Sequence, residues 1–436
     1  MEAIKAMGKV ALYFLGCKVN QAENEELAMD LARLGHRLVS DPAEADLCVV
    51  NTCTVTAESD RKCRKLIRGL VRRGARALVV AGCYAEVDPE ALSGIPGVRD
   101  VIPNREKGNW ARRIDAMLPP PLEAGEYRAG RSRGFLKVQD GCERNCSYCV
   151  VPLARGPERS RPREEILEAA SRLLGKGCRE LVLSGVNLGR YGKEEGRHLG
   201  DLVREILGLG GGFRVRLSSI ELEDLRWEWL EEWAREPRVC PHLHVPLQSG
   251  DDRILREMGR GYDSSHFLEM ANGLRRIWPR AALTTEVIVG YPGEDRRAFQ
   301  RTVDVLERAH VSRVHVFRFS PRPGTRAWKR RAEVNAGEAE GRSDELRRLA
   351  EGWRLEYIRR NLGEERELLV EGAAMRGGKS VYLGTTEDYI KAVALGLDPA
   401  PVPGSLLRVR LEGVLDGRAL AAPVGGEGNG EREENR

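Results

Sequence analysis

Three continuously apolar runs alternate with helical patterns over the first hundred residues of the chain. The runs lie at 10–15, 47–50 and 77–80, and residues 21–34 show the spacing of an amphipathic helix that ends before Gly35. Apolar runs separated by helices are typical of parallel strands whose sheet is covered on both faces. The pattern therefore predicts an N-terminal α/β domain with a doubly wound parallel sheet.

A second alternating block covers residues 135–361 and predicts six strand–helix repeats. The predicted strands are 135–138, 181–183, 214–217, 242–245, 283–289 and 313–317. Helical patterns lie between them, for example at 164–174 and 297–309. Six repeats predict an incomplete TIM-like (βα)6 barrel, in which functional residues gather at the carboxyl ends of the strands.

The last part of the chain has a different pattern. A helix is predicted at 343–360, and short alternating strands follow it at 368–371, 381–383, 389–393 and 405–411. Such strands predict a small antiparallel β-barrel. With a Pro/Gly-rich link at 119–134, we expect four parts: a doubly wound domain over 8–118, the large barrel over 132–362, the small barrel over 363–424, and a Gly/Glu-rich disordered tail over 425–436.

Composition adds limits on partners and compartment. The 436 residues carry a net charge of only +5, so charge alone does not indicate a nucleic-acid partner. The segment 61–76 is different, because it holds eight Lys or Arg and no acid. It is either a solvated helix face or a surface that contacts phosphates. The start of the chain shows no secretory pattern and no run approaches about 20 apolar residues, so we expect a cytoplasmic protein without a membrane partner.

Three of the ten cysteines lie in one short segment with the spacing C-x3-C-x2-C: Cys142, Cys146 and Cys149. Three thiolates from one loop can hold three irons of a [4Fe–4S] cube and leave the fourth iron open, whereas a cluster for electron transfer normally takes four cysteines. The alternative is zinc, which usually requires two C-x2-C pairs or a His partner, and neither lies nearby. The loop follows the first predicted barrel strand, which places it at the carboxyl end of the barrel.

Three further cysteines each follow a predicted strand of the N-terminal sheet: Cys17, Cys53 and Cys83. Because ligand sites of parallel sheets form along the carboxyl edge, these three residues should meet in space. A helix follows each of them, and a helix N-terminus favours a thiolate. The placement predicts a second cluster with one open iron, against the alternative of three unrelated buried cysteines. The remaining cysteines lack this placement and are predicted to be core residues: Cys48, Cys63, Cys178 and Cys240.

With both sets of cysteines in view, the chain resembles the methylthiotransferases of the radical SAM superfamily. The resemblance covers about residues 10–422, in the order of a three-cysteine domain, a radical SAM barrel and a TRAM domain. It rests on nine segments: 16–21 (GCKVNQ), 51–56 (NTCTVT), 82–84 (GCY), 141–149 (GCERNCSYC), 183–187 (LSGVN), 217–221 (LSSIE), 242–250 (HLHVPLQSG), 287–294 (VIVGYPGE) and 315–325 (HVFRFSPRPGT).

The resemblance implies two [4Fe–4S] clusters and S-adenosylmethionine as cofactors. At the first cluster, the open iron binds the amino and carboxylate groups of S-adenosylmethionine, and reduction yields a 5′-deoxyadenosyl radical. At the second cluster, the open iron binds an exogenous sulfur. A second S-adenosylmethionine methylates that sulfur, and the methylthio group then passes to carbon 2 of an adenine ring. The reaction requires an electron donor and a sulfur source, and the sequence identifies neither.

The resemblance also implies eight contacts to S-adenosylmethionine: Tyr148, Ser184, Gly185, Asn187, Glu221, Gln248, Ile288 and Gly290. Tyr148, Ile288 and Gly290 are expected near the adenine, and Glu221 and Gln248 are expected to form hydrogen bonds. The three residues after the second barrel strand are expected at the methionine end or the ribose. Ordinary roles in loops are the alternative for the strand-end residues.

Within the family, three substrates are familiar: adenosine 37 of tRNA carrying either an isopentenyl or a threonylcarbamoyl group, and an aspartate of a ribosomal protein. The segments GCKVN and NTCTVT together resemble those of the enzymes that modify threonylcarbamoyladenosine, and no basic stretch directly follows Cys53. The implied partner is therefore the anticodon loop of a tRNA. A non-catalytic iron–sulfur protein that binds RNA is the alternative class, but such a protein does not require the segments of an adenosylmethionine pocket.

Two sets of basic or aromatic residues are candidates for contact with RNA. The first set belongs to the TRAM-like segment: Arg366, Arg376, Lys379, Tyr382, Tyr389 and Lys391. The second set follows the first cysteine loop: Arg155, Arg159, Arg161 and Arg163. Surface charge that only confers solubility is the alternative for each arginine.

Overall fold

The computed structural model describes residues 8–119, 132–376, 379–395, 397 and 400–424. Most of the predicted link at 119–134 and all of the predicted tail at 425–436 lie outside these ranges. Within them, no helix is long and apolar enough to cross a membrane.

The N-terminal sheet has five parallel strands in the order β2-β1-β3-β4-β5. The strands are β1 (Lys9–Phe14), β2 (Arg37–Leu38), β3 (Leu47–Thr52), β4 (Leu78–Gly82) and β5 (Val98–Pro103). The helices are α1 (Lys18–Arg33), α2 (Ala57–Arg72), α3 (Cys83–Val87), α4 (Pro89–Ser93) and α5 (Trp110–Asp115). The sequence pattern missed β2, which has two residues, and β5, whose apolar run is interrupted by two charged residues.

Helices cover both faces of this sheet, so the predicted doubly wound architecture is confirmed. On one face, α2 buries Ile67 and Leu70 against the strands. On the other face, α1 buries Leu27 and Leu31, and α5 adds Trp110. Full burial of one such aliphatic side chain stabilises the fold by about 1.5–3 kcal/mol.

The central domain contains the six predicted parallel strands and two short additional ones. They are β6 (Arg133–Lys137), β7 (Gln139–Asp140), β8 (Arg159–Ser160), β9 (Glu180–Ser184), β10 (Arg214–Leu217), β11 (His242–His244), β12 (Ala282–Val289) and β13 (Arg313–Arg318). Two parallel sheets, β6-β9-β10 and β11-β12-β13, are joined by bridges such as Ser219–His244. The result is the expected incomplete barrel.

Eight helices accompany these strands. They are α6 (Val151–Arg155), α7 (Arg163–Gly175), α8 (Leu199–Leu207), α9 (Trp227–Arg235), α10 (Asp252–Met258), α11 (Ser264–Ile277), α12 (Arg296–Arg308) and α13 (Ala336–Arg360). Helix α1 of the N-terminal domain packs along the edge strand β6, where the Phe135 N–H donates to the Glu25 carboxylate at 3.3 Å. The N-terminal domain therefore lies against the open side of the barrel.

The C-terminal segment closes into a five-stranded barrel in the order β14-β15-β16-β18-β17. The strands are β14 (Glu365–Arg376), β15 (Lys379–Thr386), β16 (Lys391–Leu395), β17 (Leu406–Leu415) and β18 (Arg418–Pro423). The expectation of a purely antiparallel barrel was wrong at one seam, because β16 and β18 pair in parallel. The sequence pattern missed β18 because that segment is rich in alanine and lacks β-branched residues.

The small barrel docks on the central barrel through a buried ionic cluster at its amino end. The Glu180 carboxylate is fully buried and accepts hydrogen bonds from Arg214 at 2.7 Å and Arg216 at 2.8 Å. Arg133 pairs with the same carboxylate at 2.7 Å. Although burial alone would raise it, the three guanidinium groups hold the pKa of Glu180 well below its usual range. Arg214 and Arg216 also donate to backbone carbonyls of the 385–387 loop at 3.0 Å.

Candidate active site

The first cysteine loop connects β7 to α6 at the carboxyl end of the barrel. Backbone hydrogen bonds hold it at two places: Cys142 N–H donates to Gly156 at 3.1 Å, and Ser147 N–H donates to Met258 at 2.8 Å. Gly141 has a φ of 73°, and a Cβ at this position would lie 1.7 Å from the Pro157 carbonyl oxygen. Only glycine therefore allows the chain to pass this point and present the three sulfurs.

The three sulfurs border a cavity of about 220 Å³. Four of the eight predicted S-adenosylmethionine contacts also line it: Tyr148, Glu221, Gln248 and Ile288. The other four do not: Ser184, Gly185, Asn187 and Gly290. Ser184 Oγ donates to the Leu136 carbonyl at 3.2 Å, Gly185 lies against Gln139, and Asn187 Nδ2 donates to Glu158 at 2.9 Å. The Gly290 N–H donates to Glu294 at 2.6 Å.

Gln248 presents an unused hydrogen-bond acceptor beside this cavity. Its backbone has a φ of 65°, which is uncommon for a residue with a side chain. Its Nε2 donates to Glu286 at 2.7 Å, while its buried Oε1 has no partner among the described residues. A buried acceptor without a partner costs free energy unless a ligand supplies a donor. The cavity therefore offers an acceptor to a polar ligand.

Arg260 is a cavity residue that the sequence analysis missed. Its side chain is 2% exposed, it pairs with Glu221, and its Nη1 lies 3.3 Å from Cys146 Sγ. No spacing in the sequence marks this arginine, because it reaches the cysteine loop only through the turn after α10. It places a fixed positive charge beside one of the three sulfurs.

The second set of cysteines lies at the carboxyl edge of the N-terminal sheet, as predicted. Cys17 directly precedes α1, Cys53 directly follows β3, and Cys83 begins α3. The strand order reverses between β1 and β3, which is where ligands bind in sheets of this topology. Gly82 has a φ of 108°, and a Cβ there would lie 2.5 Å from the Thr52 carbonyl oxygen, so only glycine brings the ends of β3 and β4 this close.

Positive charge surrounds this second set. Arg155 and Lys107 both interact electrostatically with Cys83, and Asn104 Nδ2 donates to the Cys83 sulfur at 3.4 Å. Arg155 is buried and ion-paired with Glu23 at 3.0 Å, so its predicted contact with RNA was wrong. The four cysteines predicted as core residues are all buried, as expected: Cys48, Cys63, Cys178 and Cys240.

Each set offers three thiols, which is the donor chemistry of a [4Fe–4S] cluster with one open iron. Burial raises the pKa of Cys53 and of Cys149 to about 12, so these free thiols are protonated at neutral pH and a bound metal would replace the protons. Apart from the three cysteines, the residues that line the first cavity include no Cys or His, which is consistent with an open iron.

The loop that follows Cys53 reaches the first cavity. Val55 and Thr56 line it together with the sulfurs of the first set. Two contacts hold this loop on the barrel: the Ala57 N–H donates to Ser320 Oγ at 2.9 Å, and Arg322 pairs with Asp60 at 2.7 Å. The loop after one cysteine of the second set therefore reaches the cavity of the first set, although Cys17, Cys53 and Cys83 themselves do not line it.

Comparison with known proteins agrees with this arrangement. Residues 136–306 match the Radical SAM superfamily, and residues 9–103 match the uncharacterized protein family UPF0004. The threonylcarbamoyladenosine tRNA methylthiotransferase MtaB of Thermotoga maritima is 38% identical over 404 residues, which cover 89% of this chain and 92% of that protein. The chain belongs to the radical SAM methylthiotransferase family. It is an enzyme, and its family implies one [4Fe–4S] cluster and S-adenosylmethionine.

Two further matches extend this result. The tRNA-2-methylthio-N(6)-dimethylallyladenosine synthase of Pelobacter propionicus is 32% identical to this methylthiotransferase over 392 residues, 84% of this chain and 88% of that protein. The radical S-adenosylmethionine methyltransferase TsrM from Kitasatospora setae superposes with a TM-score of 0.54 at 15% identity, over 74% of this chain and 77% of that one. At this identity the likeness concerns the fold alone.

Several residues predicted to contact RNA have structural roles instead. Arg366 is buried and pairs with Asp388 at 2.8 Å, and Tyr382 lies in the core of the small barrel. Tyr389 stacks on His242 at 4.3 Å between ring centroids, where the two barrels meet. These predictions were wrong because each group is covered by its own domain or by the neighbouring one. The side chains of Arg376 and Lys379 lie outside the described part of the chain.

The other candidates for RNA contact are more accessible. Lys391 pairs with Glu371 at 3.0 Å. The arginines at 159, 161 and 163 each pair with a carboxylate. By contrast, the exposed face of α2 carries most of the basic segment 61–76, and its residues Lys65, Arg68 and Arg72 form no ion pair among the described residues.

Proposed function

We propose that this methylthiotransferase adds a methylthio group to carbon 2 of N6-threonylcarbamoyladenosine at position 37 of tRNA. In this proposal Cys142, Cys146 and Cys149 hold one [4Fe–4S] cluster, and the second set of cysteines holds another. The first cluster with S-adenosylmethionine would supply radical chemistry, and the second would supply a place for the sulfur that is transferred.

The observation that carries the two-cluster proposal is that the loop after Cys53 reaches the cavity bordered by the first set. Val55 and Thr56 of this loop line the cavity together with Cys142, Cys146 and Cys149. A transfer between two centres requires both to reach the same substrate atom. Separate clefts would instead favour an electron-transfer role for the second cluster.

The residues of the cavity suit the binding of S-adenosylmethionine. Gln248 offers an acceptor for an ammonium or hydroxyl group, and Glu221 and Arg260 offer a charged pair beside the sulfurs. Ile288 and Phe319 provide apolar surface for a flat base. Val55 and Thr56 also line the cavity, which would limit the access of water to a reactive species.

The threonylcarbamoyl substrate is supported by a relative of this chain. The relative at 38% identity is named a threonylcarbamoyladenosine tRNA methylthiotransferase, which favours this substrate over an isopentenyl one.

The exposed basic face of α2 is suited to the tRNA backbone. Helix α2 begins at Ala57, next to the cavity wall, and its 16 residues extend for about 24 Å at 1.5 Å per residue. Lys65, Arg68 and Arg72 are exposed along it. Such a row can contact phosphates while the target base enters the cavity.

Mass spectrometry of tRNA nucleosides from a deletion strain tests the substrate. The strain should lack 2-methylthio-N6-threonylcarbamoyladenosine, and the wild-type protein should restore it. Neither Cys142/Cys146/Cys149→Ala nor Cys17/Cys53/Cys83→Ala should restore it. The control Cys178→Ala, which changes a buried cysteine outside both sets, should restore it fully. Loss of an isopentenyladenosine derivative, or a change only in a ribosomal protein, would contradict the proposed substrate.

Iron analysis of the anaerobically reconstituted protein tests the two clusters. The wild-type protein should hold about eight irons, and each triple variant should hold about four. The variant without the second set should still cleave S-adenosylmethionine reductively. Full iron content in either triple variant would contradict the ligand assignment for that set.

A further inference from the structure

Helix α6 lies between the two sets of cysteines. It begins at Val151, two residues after Cys149, and ends at Arg155. The Arg155 side chain leaves the barrel and enters the N-terminal domain, where it is 3% exposed. A short segment next to the first cysteine loop thus carries a buried cation into the domain that holds the second set.

Arg155 contacts groups next to a ligand of each set. On the side of the N-terminal domain, its Nη2 donates to Asn20 Oδ1 at 3.1 Å, and the same oxygen lies 3.3 Å from Cys17 Sγ. On the side of the barrel, its Nη1 donates to Asp140 Oδ1 at 2.9 Å, and that oxygen accepts from the Gly141 N–H at 2.9 Å. Gly141 directly precedes the first cysteine of the loop, so a continuous chain of contacts joins the two sets.

A second connection runs beside the first. Asn104 Nδ2 donates to the Ala154 carbonyl oxygen at 2.6 Å and to Cys83 Sγ at 3.4 Å. An amide nitrogen carries two hydrogens, so one Asn can make both bonds. The last two residues of α6 therefore reach two of the three cysteines of the second set through one intervening side chain each.

The charges around Arg155 hold it rigidly. Glu23 is 4% exposed and pairs with Arg155 at 3.0 Å, Lys107 at 2.6 Å and Lys137 at 2.9 Å. A guanidinium group presents its donors in a planar fork, so several simultaneous bonds define its position and its angle. Removal of one partner from such a buried group is costly, which keeps the arrangement from exchanging with others.

From these contacts we infer that Arg155 is a positioning residue that sets the distance between the two clusters. The inference rests on the proposed two-cluster function. Other ion pairs also join the domains. Arg161 with Glu26 lies at neither cysteine loop, whereas Arg322 pairs with Asp60 and donates to Thr54, next to Cys53. Arg155 differs because it has a partner near a ligand of each set: Asn20 is three residues from Cys17, and Asp140 is two residues from Cys142.

Pulsed EPR of the reduced, fully loaded chain tests this role through the magnetic coupling between the clusters. The wild-type protein should give one narrow distribution of couplings. Arg155→Met should keep both cluster signals and broaden the distribution, and Arg155→Lys, which keeps the charge without the planar fork, should broaden it as well. Glu26→Gln is the matched control, since it also removes an ion pair between the domains, and it should leave the distribution narrow.

A second measurement is the number of S-adenosylmethionine molecules cleaved per methylthio group transferred. This ratio should rise several-fold in Arg155→Lys and stay unchanged in Glu26→Gln, because cleavage depends on the first cluster alone. Equal coupling distributions in the wild-type protein and both Arg155 variants, or equal broadening in Glu26→Gln, would overturn the role of Arg155. A wild-type protein with only one cluster signal would instead overturn the proposed function and this inference with it.

Discussion

The variant Glu180→Gln tests whether the buried ionic cluster joins the C-terminal barrel to the central barrel. The change keeps the shape of the side chain and removes its charge. Three arginines then converge on a neutral amide at a position that is fully buried. The variant therefore isolates the electrostatic part of the interface.

Removal of one partner from a buried ion pair costs about 3–5 kcal/mol, because the remaining charge is left without compensation. Although three arginines lose the same partner in this variant, we do not expect three times this cost. Arg214 and Arg216 keep their bonds to carbonyl oxygens of the 385–387 loop, and Arg133 keeps Glu371 at 2.9 Å. We therefore expect a loss of about 3–5 kcal/mol from the free energy of opening at this interface.

Hydrogen exchange detected by mass spectrometry can follow this loss locally. A chain with several domains does not unfold in one step, so a single midpoint would not isolate the interface. Backbone amides of β14 and β15 should exchange at least about 100-fold faster in Glu180→Gln, since each 1.4 kcal/mol is a factor of ten. The control Glu345→Gln removes an exposed partner of Arg296 and should change the free energy of opening by less than about 1 kcal/mol.

The result that would refute this reasoning is equal exchange in Glu180→Gln and Glu345→Gln. The interface would then be held by apolar contact and backbone bonds alone. Acid should act in the same direction as the variant. Because the folded-state pKa of Glu180 is depressed, its contribution to stability is present above the unfolded pKa of about 4.5 and declines as the pH falls below it.

Three further predictions concern the active site and its surroundings. Arg260→Met should make the potential of the first cluster more negative in an EPR-monitored titration, because a cationic donor to a ligand sulfur stabilises the reduced state; an unchanged potential would contradict this. Gly141→Ala should lose the first cluster because its Cβ would meet a carbonyl oxygen, whereas Gly69→Ala, with open space around it, should load normally; normal iron content in Gly141→Ala would refute the steric argument. Burial is the main cause that lowers the pKa of His315 to about 4. The contribution of His315 to the free energy of unfolding should therefore be complete above the unfolded pKa of about 6.5 and decline as the pH falls from there to about 4. The decline should be weaker in His315→Asn, and equal pH profiles would exclude the histidine as the cause.

The sequence by itself determined the architecture and both sets of cysteines. The first set is a local spacing, so Cys142, Cys146 and Cys149 could be identified without a fold. The second set required only one rule, that the carboxyl ends of parallel strands meet at one edge, and this rule placed Cys17 and Cys53 together across 36 residues. Apolar periodicity predicted the six barrel strands because their faces are buried. It missed β5, whose apolar pattern is interrupted by charged residues, and β18, whose small alanine side chains give a weak hydrophobic pattern.

Only the tertiary structure decided which charged residues are buried. Arg155, Arg260 and Arg366 have nothing in the sequence that distinguishes them from surface arginines, and the same is true of Glu180. A charge enters the interior only when partners from other elements satisfy it, and those partners can be distant in sequence, as for Arg214 and the Thr385 carbonyl oxygen, which are 171 residues apart. Hydrophobic periodicity records what a segment buries by itself. It cannot record an ion pair that two distant segments form, and the residues around both sets of cysteines are of that kind.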